Sequence, residues 1–286
     1  MKKKSMKLPE AGKTVSMDQH FMENKGILKR MVFLADLKPE DRVLEIGPGA
    51  GNLTRHLLGE GIEVTAIEKD ISFEDSFRKE FGHKKNLNLI FGNALGIIEK
   101  IKFNKIVSNL PYSICEPFVN KLMKTDFDIA VISVPENFAS ILLAKPGKRQ
   151  FSKLSIRSQS FFDVKVGFRV PRSAFVPEPK TESIVLVIKP LSKKYYRKHP
   201  GRYVLREIFL QNKKKIKNAL REGMIKVNKH ILEREFTKNL ARELIKDMEI
   251  NGEILGKKAG EINLAEMEEL RKAVTSLACK LLRRAG

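Results

Sequence analysis

The sequence predicts an α/β fold, a largely parallel sheet with helices on both faces, followed by a small helical domain. Three observations predict it. The run Arg42-Val43-Leu44-Glu45-Ile46 ends in Gly47, Gly49 and Gly51 and passes into an amphipathic stretch at 53–58. Strand, glycine turn and helix open a nucleotide-binding βαβ unit. Strand-like apolar runs then alternate with helical ones to about residue 190, the pattern of parallel strands joined by crossover helices. Beyond Pro190 helical periodicity takes over, and Lys and Arg outnumber Asp and Glu two to one.

In chain order, residues 1–16 are basic and polar and read as a loose arm. Met1-Lys2-Lys3-Lys4 is followed by no apolar core, so it does not read as a signal peptide. Residues 17–24 lead into a helix with Ile27, Leu28, Met31, Val32 and Ala35 on one face. After the glycine turn, a second strand at 64–68 ends in Glu68, 17 residues past Gly51. A helix at 73–81 and a third strand, Leu87–Phe91, put Asn93 at that strand's carboxyl end. A fourth strand at 105–108 runs straight into Asn109-Leu110-Pro111-Tyr112. Ligands of doubly wound sheets lie at this carboxyl edge. Helices are expected at 116–123, 138–143 and 154–162, with a strand at 129–134 and a basic turn at 145–149. Strands at 164–170 and 183–188 flank a proline-rich loop and suit an antiparallel addition to the sheet. Residues 193–200 read as a basic linker, and 203–221, 229–248 and 264–282 as helices. The expected organisation is therefore an arm at 1–16, an α/β domain at 17–191 and a basic helical domain at 192–286.

The chain holds 55 Lys and Arg against 34 Asp and Glu, a net charge of +21 and a pI near 9.9. Such a balance says little about fold and much about partners: nucleic acid first, an anionic membrane second. No apolar run approaches the length of a membrane span. Cys115 and Cys279 have no metal-ligand spacing and suit a reducing cytoplasm. Lys213-Lys214-Lys215 is the densest basic run, either a solvated face or a phosphate contact.

Glu45-x-Gly47-x-Gly49-x-Gly51 is not the Gly-x-Gly-x-x-Gly spacing of dinucleotide folds. With no pyrophosphate to cradle, and with Glu68 placed to grip two ribose hydroxyls, S-adenosylmethionine suits the pattern better than NAD. Asn109-Leu110-Pro111-Tyr112 carries the second piece of chemistry. The exocyclic amine of adenine is a poor nucleophile because its lone pair is conjugated with the ring. Acceptors on its two N–H bonds, from the Asn109 side chain and a backbone carbonyl of the Leu110-Pro111 turn, favour the pyramidal geometry that attack needs. Tyr112 offers a face on which an extruded base can stack. In-line displacement then rests on alignment of nitrogen, methyl and sulfur, with no metal and no covalent nucleophile.

These motifs, in this order, resemble the KsgA-type ribosomal RNA adenine dimethyltransferase family, its archaeal and eukaryotic branch most of all. The resemblance runs from about residue 15 to 190 and more weakly beyond. It rests on Gln19-His20-Phe21-Met22, residues 45–51, Glu68, Gly92-Asn93-Ala94-Leu95, residues 109–112 and the loop 170–183, with 209–220 similar to the basic helix that opens the family's C-terminal domain. It implies a Rossmann-like S-adenosylmethionine-dependent methyltransferase sheet with a small C-terminal helical domain that binds rRNA. It implies that His20 and Met22 close over the cofactor, that Gly47 lies against its methionine moiety, Glu68 on its ribose and Asn93 beside its adenine. Asn109, Leu110, Pro111 and Tyr112 would form the catalytic loop, with Asn109 also contacting the cofactor. The implied reaction is four methyl transfers, two to each of two adjacent adenosines in a hairpin near the 3′ end of small-subunit rRNA. The implied setting is ribosome assembly by a cytoplasmic, monomeric protein.

The chain departs from the family pattern at Asp18 for Gly, Asn93 for Asp, Pro135-Glu136-Asn137 for Gln-x-Glu, Phe151-Ser152 for Tyr-Gly and Cys115 for Ser. Asn93 keeps an acceptor oxygen and drops the charge; Cys115 reads as a small buried residue behind the loop. Two competing readings share the fold: a non-catalytic rRNA-binding assembly factor, and a methyltransferase acting on large-subunit rRNA. The loop at 171–179 and the C-terminal basic helix argue against the latter.

Overall fold

The computed structural model describes residues 20–283, with side-chain environments as far as Ala278. The arm at 1–16, Asp18, Gln19 and the Cys279 side chain lie outside the described residues. The chain forms two compact units, one running to Ser140 and resumed over Val164–Lys189, the other made of Ile141–Asp163 and the chain from Pro190 onward. This division differs from a simple boundary at 191, because residues 141–163 group with the C-terminal helices.

The strands are β1 (Phe21–Met22), β2 (Arg42–Ile46), β3 (Glu63–Glu68), β4 (Leu87–Phe91), β5 (Lys105–Asn109), β6 (Ile129–Pro135), β7 (Phe162–Val170), β8 (Phe175–Val176) and β9 (Ser183–Pro190). Seven form one sheet in the order β4-β3-β2-β5-β6-β9-β7. From β4 to β6 the pairing is parallel, and β9 runs antiparallel to β6. The order reverses between β2 and β5, which puts the topological switch point beside the glycine turn. Val43, Val64, Val107, Val131 and Val185 bury one face against Leu28, Met31, Leu57, Phe77 and Phe81 of the flanking helices. β-Branched residues suit such two-sided burial. At the amino end of β5, the buried Lys105 ammonium meets the buried Asp41 carboxylate at 2.7 Å, and Asn104 also donates to Asp41.

β1 and β8 pair antiparallel as a separate small sheet, Phe21 opposite Val176 and Met22 opposite Phe175. No short-range pattern encodes a pairing of two residues with two others so distant in sequence.

The second unit departs from expectation in four places. The single helix predicted at 203–221 is two, Pro200–Leu210 and Ile216–Val227. The apolar pattern lapses between Leu210 and Ile216, and the intervening polar stretch finds backbone partners elsewhere. Ile216 N–H donates to the Lys257 carbonyl at 2.8 Å, and Lys215 bridges Lys258. The helix predicted at 229–248 breaks at Glu233, whose φ is +53°. It restarts as Lys238–Lys246, capped by Thr237 on the Leu240 N–H. The predicted linker contains a helix, Lys193–Lys198, which Ser192 caps and Tyr196 anchors by donating to the Ser160 carbonyl at 2.9 Å. A short helix, Gly252–Gly256, was not anticipated. The last helix, Leu264–Arg283, matches its periodicity.

Candidate active site

The glycine turn follows β2 directly. Gly47, Gly49 and Gly51 all have positive φ, which side chains disfavour. At Gly49 the constraint is also spatial: a Cβ there would lie 2.6 Å from the Phe21 ring. Phe21 in turn meets Phe73 edge-on at 5.8 Å, so an aromatic pair roofs the turn. A Cβ on Gly47 would lie 3.1 Å from Pro111. The turn after β2 therefore abuts the loop after β5.

Glu68 ends β3 with its side chain buried. Gly49 N–H donates to Oε2 and Asp70 N–H to Oε1, each at 2.9 Å. Burial pushes this carboxyl above the ordinary range, opposed by those backbone donors. The Lys69 N–H also faces the carboxylate, whose roughly four lone-pair sites still leave it acceptor capacity. A carboxylate aimed by the glycine turn itself, beside backbone without Cβ atoms, fits the ribose and methionine ends of S-adenosylmethionine.

The loop after β5 is held tightly. Ser108 donates to the Ile46 carbonyl at 2.7 Å, tying β5 to β2 at the switch point. Leu110 is buried, and its N–H donates to the Ser133 carbonyl at 3.2 Å. The Pro111 carbonyl accepts from Ile114 N–H at 3.1 Å and from the Cys115 thiol at 3.7 Å, which leaves the Leu110 carbonyl as the acceptor of the turn. The Asn109 amide nitrogen donates to the His20 carbonyl at 3.0 Å. Its Oδ1 is buried with no hydrogen-bond partner among the described residues. A buried acceptor without a donor costs free energy, and an exocyclic amine is a donor of the right kind. The Ser133 hydroxyl, in register with Asn109 on the neighbouring strand, is also buried without a partner.

Tyr112 is half-buried, and its hydroxyl lies 2.6 Å from Ser183 Oγ. Its ring sits 5.2 Å from that of His20, whose Nδ1 is 2.9 Å from the Pro177 carbonyl. Met22 is buried, and its carbonyl accepts from the Asn52 side chain at 3.0 Å. The N-terminal segment is thus sewn to both loops. Asn93, at the carboxyl end of β4, caps the next turn by accepting from Leu95 N–H at 3.1 Å. Asn serves a cap as well as Asp does, so the departure from the family pattern is structurally neutral there. Burial pushes the Cys115 thiol up to about 12, which makes it an inert buried residue.

All the sequence-predicted residues lie in the first unit. His20, Gly47, Asn109, Leu110, Pro111 and Tyr112 are linked through the contacts above, and Glu68 joins them through the glycine turn. Sequence reasoning missed Phe21, Asn52, Ser108 and Ser183. Phe21 stood inside the recognised Gln-His-Phe-Met run and Ser183 at the end of the recognised proline-rich loop. Asn52 and Ser108 flank the glycine turn and Asn109, so position alone could have flagged them.

Over residues 12–251 the chain matches the family model described as ribosomal RNA adenine dimethylase. The chain belongs to this family. The dimethyltransferase is 33% identical over 238 residues to a probable ribosomal RNA small subunit methyltransferase A of Methanopyrus kandleri, covering 81% of this chain and 84% of that one. It is 36% identical over 205 residues to the protein of the same description from Pyrococcus abyssi, covering 72% and 74%. A dimethyladenosine transferase structure from Plasmodium falciparum superposes with a TM-score of 0.60 at 25% identity, covering 92% of this chain and 98% of that one. The 23S rRNA methyltransferase ErmE shares the fold, with a TM-score of 0.56 at 18% identity. The dimethyltransferase is an rRNA adenine N6,N6-methylating enzyme that uses S-adenosylmethionine.

Proposed function

We propose that this enzyme dimethylates two adjacent adenosines in a hairpin near the 3′ end of small-subunit rRNA, as a cytoplasmic, monomeric ribosome-assembly enzyme. The small-subunit specificity is supported by its archaeal relatives, which are probable ribosomal RNA small subunit methyltransferases. No helix among the described residues is long and apolar enough to cross a membrane.

The observation that carries the reading is the Asn109 oxygen, buried and unpartnered while the amide nitrogen is held by His20. Asn109 Oδ1 accepts one N6–H of the target base and the Leu110 carbonyl accepts the other, which favours the pyramidal nitrogen that attack requires. Tyr112 stacks the extruded base, its ring held by Ser183 and flanked by His20. Pro111 keeps this loop against the glycine turn, so nucleophile and methyl donor are aligned by two rigid strand ends. Glu68 and Gly47 hold the donor's ribose and methionine ends; His20 and Met22 close the N-terminal side, and Asn93 flanks the adenine end. S-adenosylmethionine, when bound, supplies a methyl group activated by its positive sulfonium. The second unit, rich in Lys and Arg, supplies phosphate contacts.

The test is transfer of labelled methyl to small subunits lacking the modification, followed by mass spectrometry of the rRNA. Two dimethylated adenosines near the 3′ end are expected. Methylation confined to large-subunit rRNA, or subunit binding without transfer, would overturn the reading.

A further inference from the structure

The second unit contains a cavity of about 290 Å³. It lies where residues 146–160, the start of the Pro200–Leu210 helix and the last helix meet. Among the described residues its walls carry Lys198, Arg202 and Arg271, and no Asp or Glu. The Arg271 Nε atom is buried and has no hydrogen-bond partner; the same guanidinium lies 3.6 Å from Glu268 through Nη2. Arg202 donates one guanidinium N–H to the Gln159 carbonyl, and its remaining side-chain donors are not taken up by any described hydrogen bond. The Pro200–Leu210 helix begins at the cavity, and His199 offers it no side-chain cap. Pro200 carries no N–H and the Arg202 backbone N–H already donates to the His199 carbonyl at 3.0 Å, so the helix start adds little to an anion site and the side-chain cations carry it. Phe151, Pro146 and Pro200 add flat or apolar surface, and Pro146 lies within the basic turn Lys145–Arg149.

Three cations, of which only Arg271 has a described carboxylate partner, Glu268 at 3.6 Å, and an orphaned guanidinium N–H describe a phosphate site. The volume exceeds what a bare phosphate needs and approaches that of small ligand pockets. We propose that this cavity takes one phosphate-bearing nucleotide of the RNA, the phosphate on Arg271, Arg202 and Lys198 and the base against Phe151 and the prolines. It is a recognition site separate from the one that receives the target adenine. The RNA source rests on the function proposed above; the phosphate chemistry does not. The Lys213-Lys214-Lys215 run is a weaker anchor, because both Glu222 oxygens hold Lys214, at 2.9 and 2.8 Å.

The experiment uses the full chain with AMP and with the 3′ hairpin of small-subunit rRNA as probes. It compares wild type with Arg271→Gln, Arg271→Lys and Thr275→Trp, the last of which fills the cavity without removing charge. AMP is expected to bind the wild type saturably and about tenfold more weakly in Arg271→Gln and Thr275→Trp, with partial recovery in Arg271→Lys. RNA affinity is expected to fall at least threefold in Arg271→Gln, with the salt slope of log K smaller by about 1. S-adenosylmethionine affinity should not move. Should Arg271→Gln melt early, Thr275→Trp carries the same two readouts. AMP loss with unchanged RNA affinity and salt slope would overturn the proposal in favour of a free nucleotide. No AMP binding and no RNA effect would overturn it outright. Failure of the methylation reading would appear separately, as absent transfer with these bindings intact.

Discussion

The Asn109 amide nitrogen donates to the His20 carbonyl at 3.0 Å, and this one bond decides which way the amide faces. The oxygen is left buried and unpartnered between the two strand-end loops. A residue 89 positions earlier in the chain thus sets the polarity of the amide proposed to be catalytic. Asn109→Ala is predicted to lower kcat by roughly 10²- to 10³-fold, the usual effect of removing a preorganised polar group from a reacting centre. RNA affinity should change less than about twofold. Labelled-methyl transfer and RNA binding on the same preparation check it; equal loss of both would show that Asn109 is structural.

Glu68 is aimed by Gly49 and Asp70 N–H groups, one on each oxygen. Glu68→Gln puts an NH₂ against one of those donors. We predict at least a tenfold rise in the S-adenosylmethionine Kd, about 1.4 kcal/mol, measurable by titration calorimetry. An unchanged Kd would remove Glu68 from the cofactor site.

Gly49 cannot carry a side chain for two reasons, its φ of +52° and the Phe21 ring. Gly49→Ala should therefore lower stability by about 1–3 kcal/mol. Adding Phe21→Ala should relieve the steric part and leave the backbone part. A double-mutant cycle by denaturant melts would show this coupling. Strict additivity would mean that Phe21 does not limit the turn.

The buried Glu45 carboxyl has the Thr54 hydroxyl as its side-chain donor, at 2.6 Å. Burial, opposed by Thr54 and reinforced by the charge of Glu68, pushes it up to about 8 from 4.5. The folded state then holds a proton that the unfolded chain releases. Its contribution to stability is fully present below about 4.5 and is lost as pH rises to about 8. Glu45→Gln keeps the acceptor for Thr54 and should flatten that decline in melts run from pH 5 to 9. Parallel curves for the two proteins would refute the assignment.

The Asp41–Lys105 pair is buried at both ends. Burial by itself would raise the Asp41 carboxyl, yet Lys105, Asn104 and the Lys38 N–H together hold it below the ordinary value of 3.8. Asp41→Asn leaves a buried ammonium without its counter-charge and should cost about 3–5 kcal/mol. Pairing it with Lys105→Met should recover most of that loss, since a matched apolar replacement removes the stranded charge as well. A double variant as unstable as Asp41→Asn would assign the cost to the Asn104 network instead.

By itself the sequence determined what depends on near neighbours. The strands from Arg42 to Phe91, the glycine turn and the Asn109–Tyr112 loop were legible because strand period, glycine content and proline placement act within a few residues. The carboxyl-edge placement of Glu68, Asn93 and Asn109 followed from the βαβ pattern. In the second unit, periodicity over-ran its breaks. The lapse at 211–215 and the turn at Glu233 are stabilised by partners distant in sequence, such as the Lys257 carbonyl for Ile216. Tertiary structure alone decided the pairing of Phe21–Met22 with Phe175–Val176. It also decided the roof of Phe21 and Phe73 over Gly49, the Tyr112–Ser183 bond and the orientation of the Asn109 amide. Each of these is a contact between chemically ordinary groups, brought together only when the antiparallel β9 and the loop before it return to the edge where the parallel strands end.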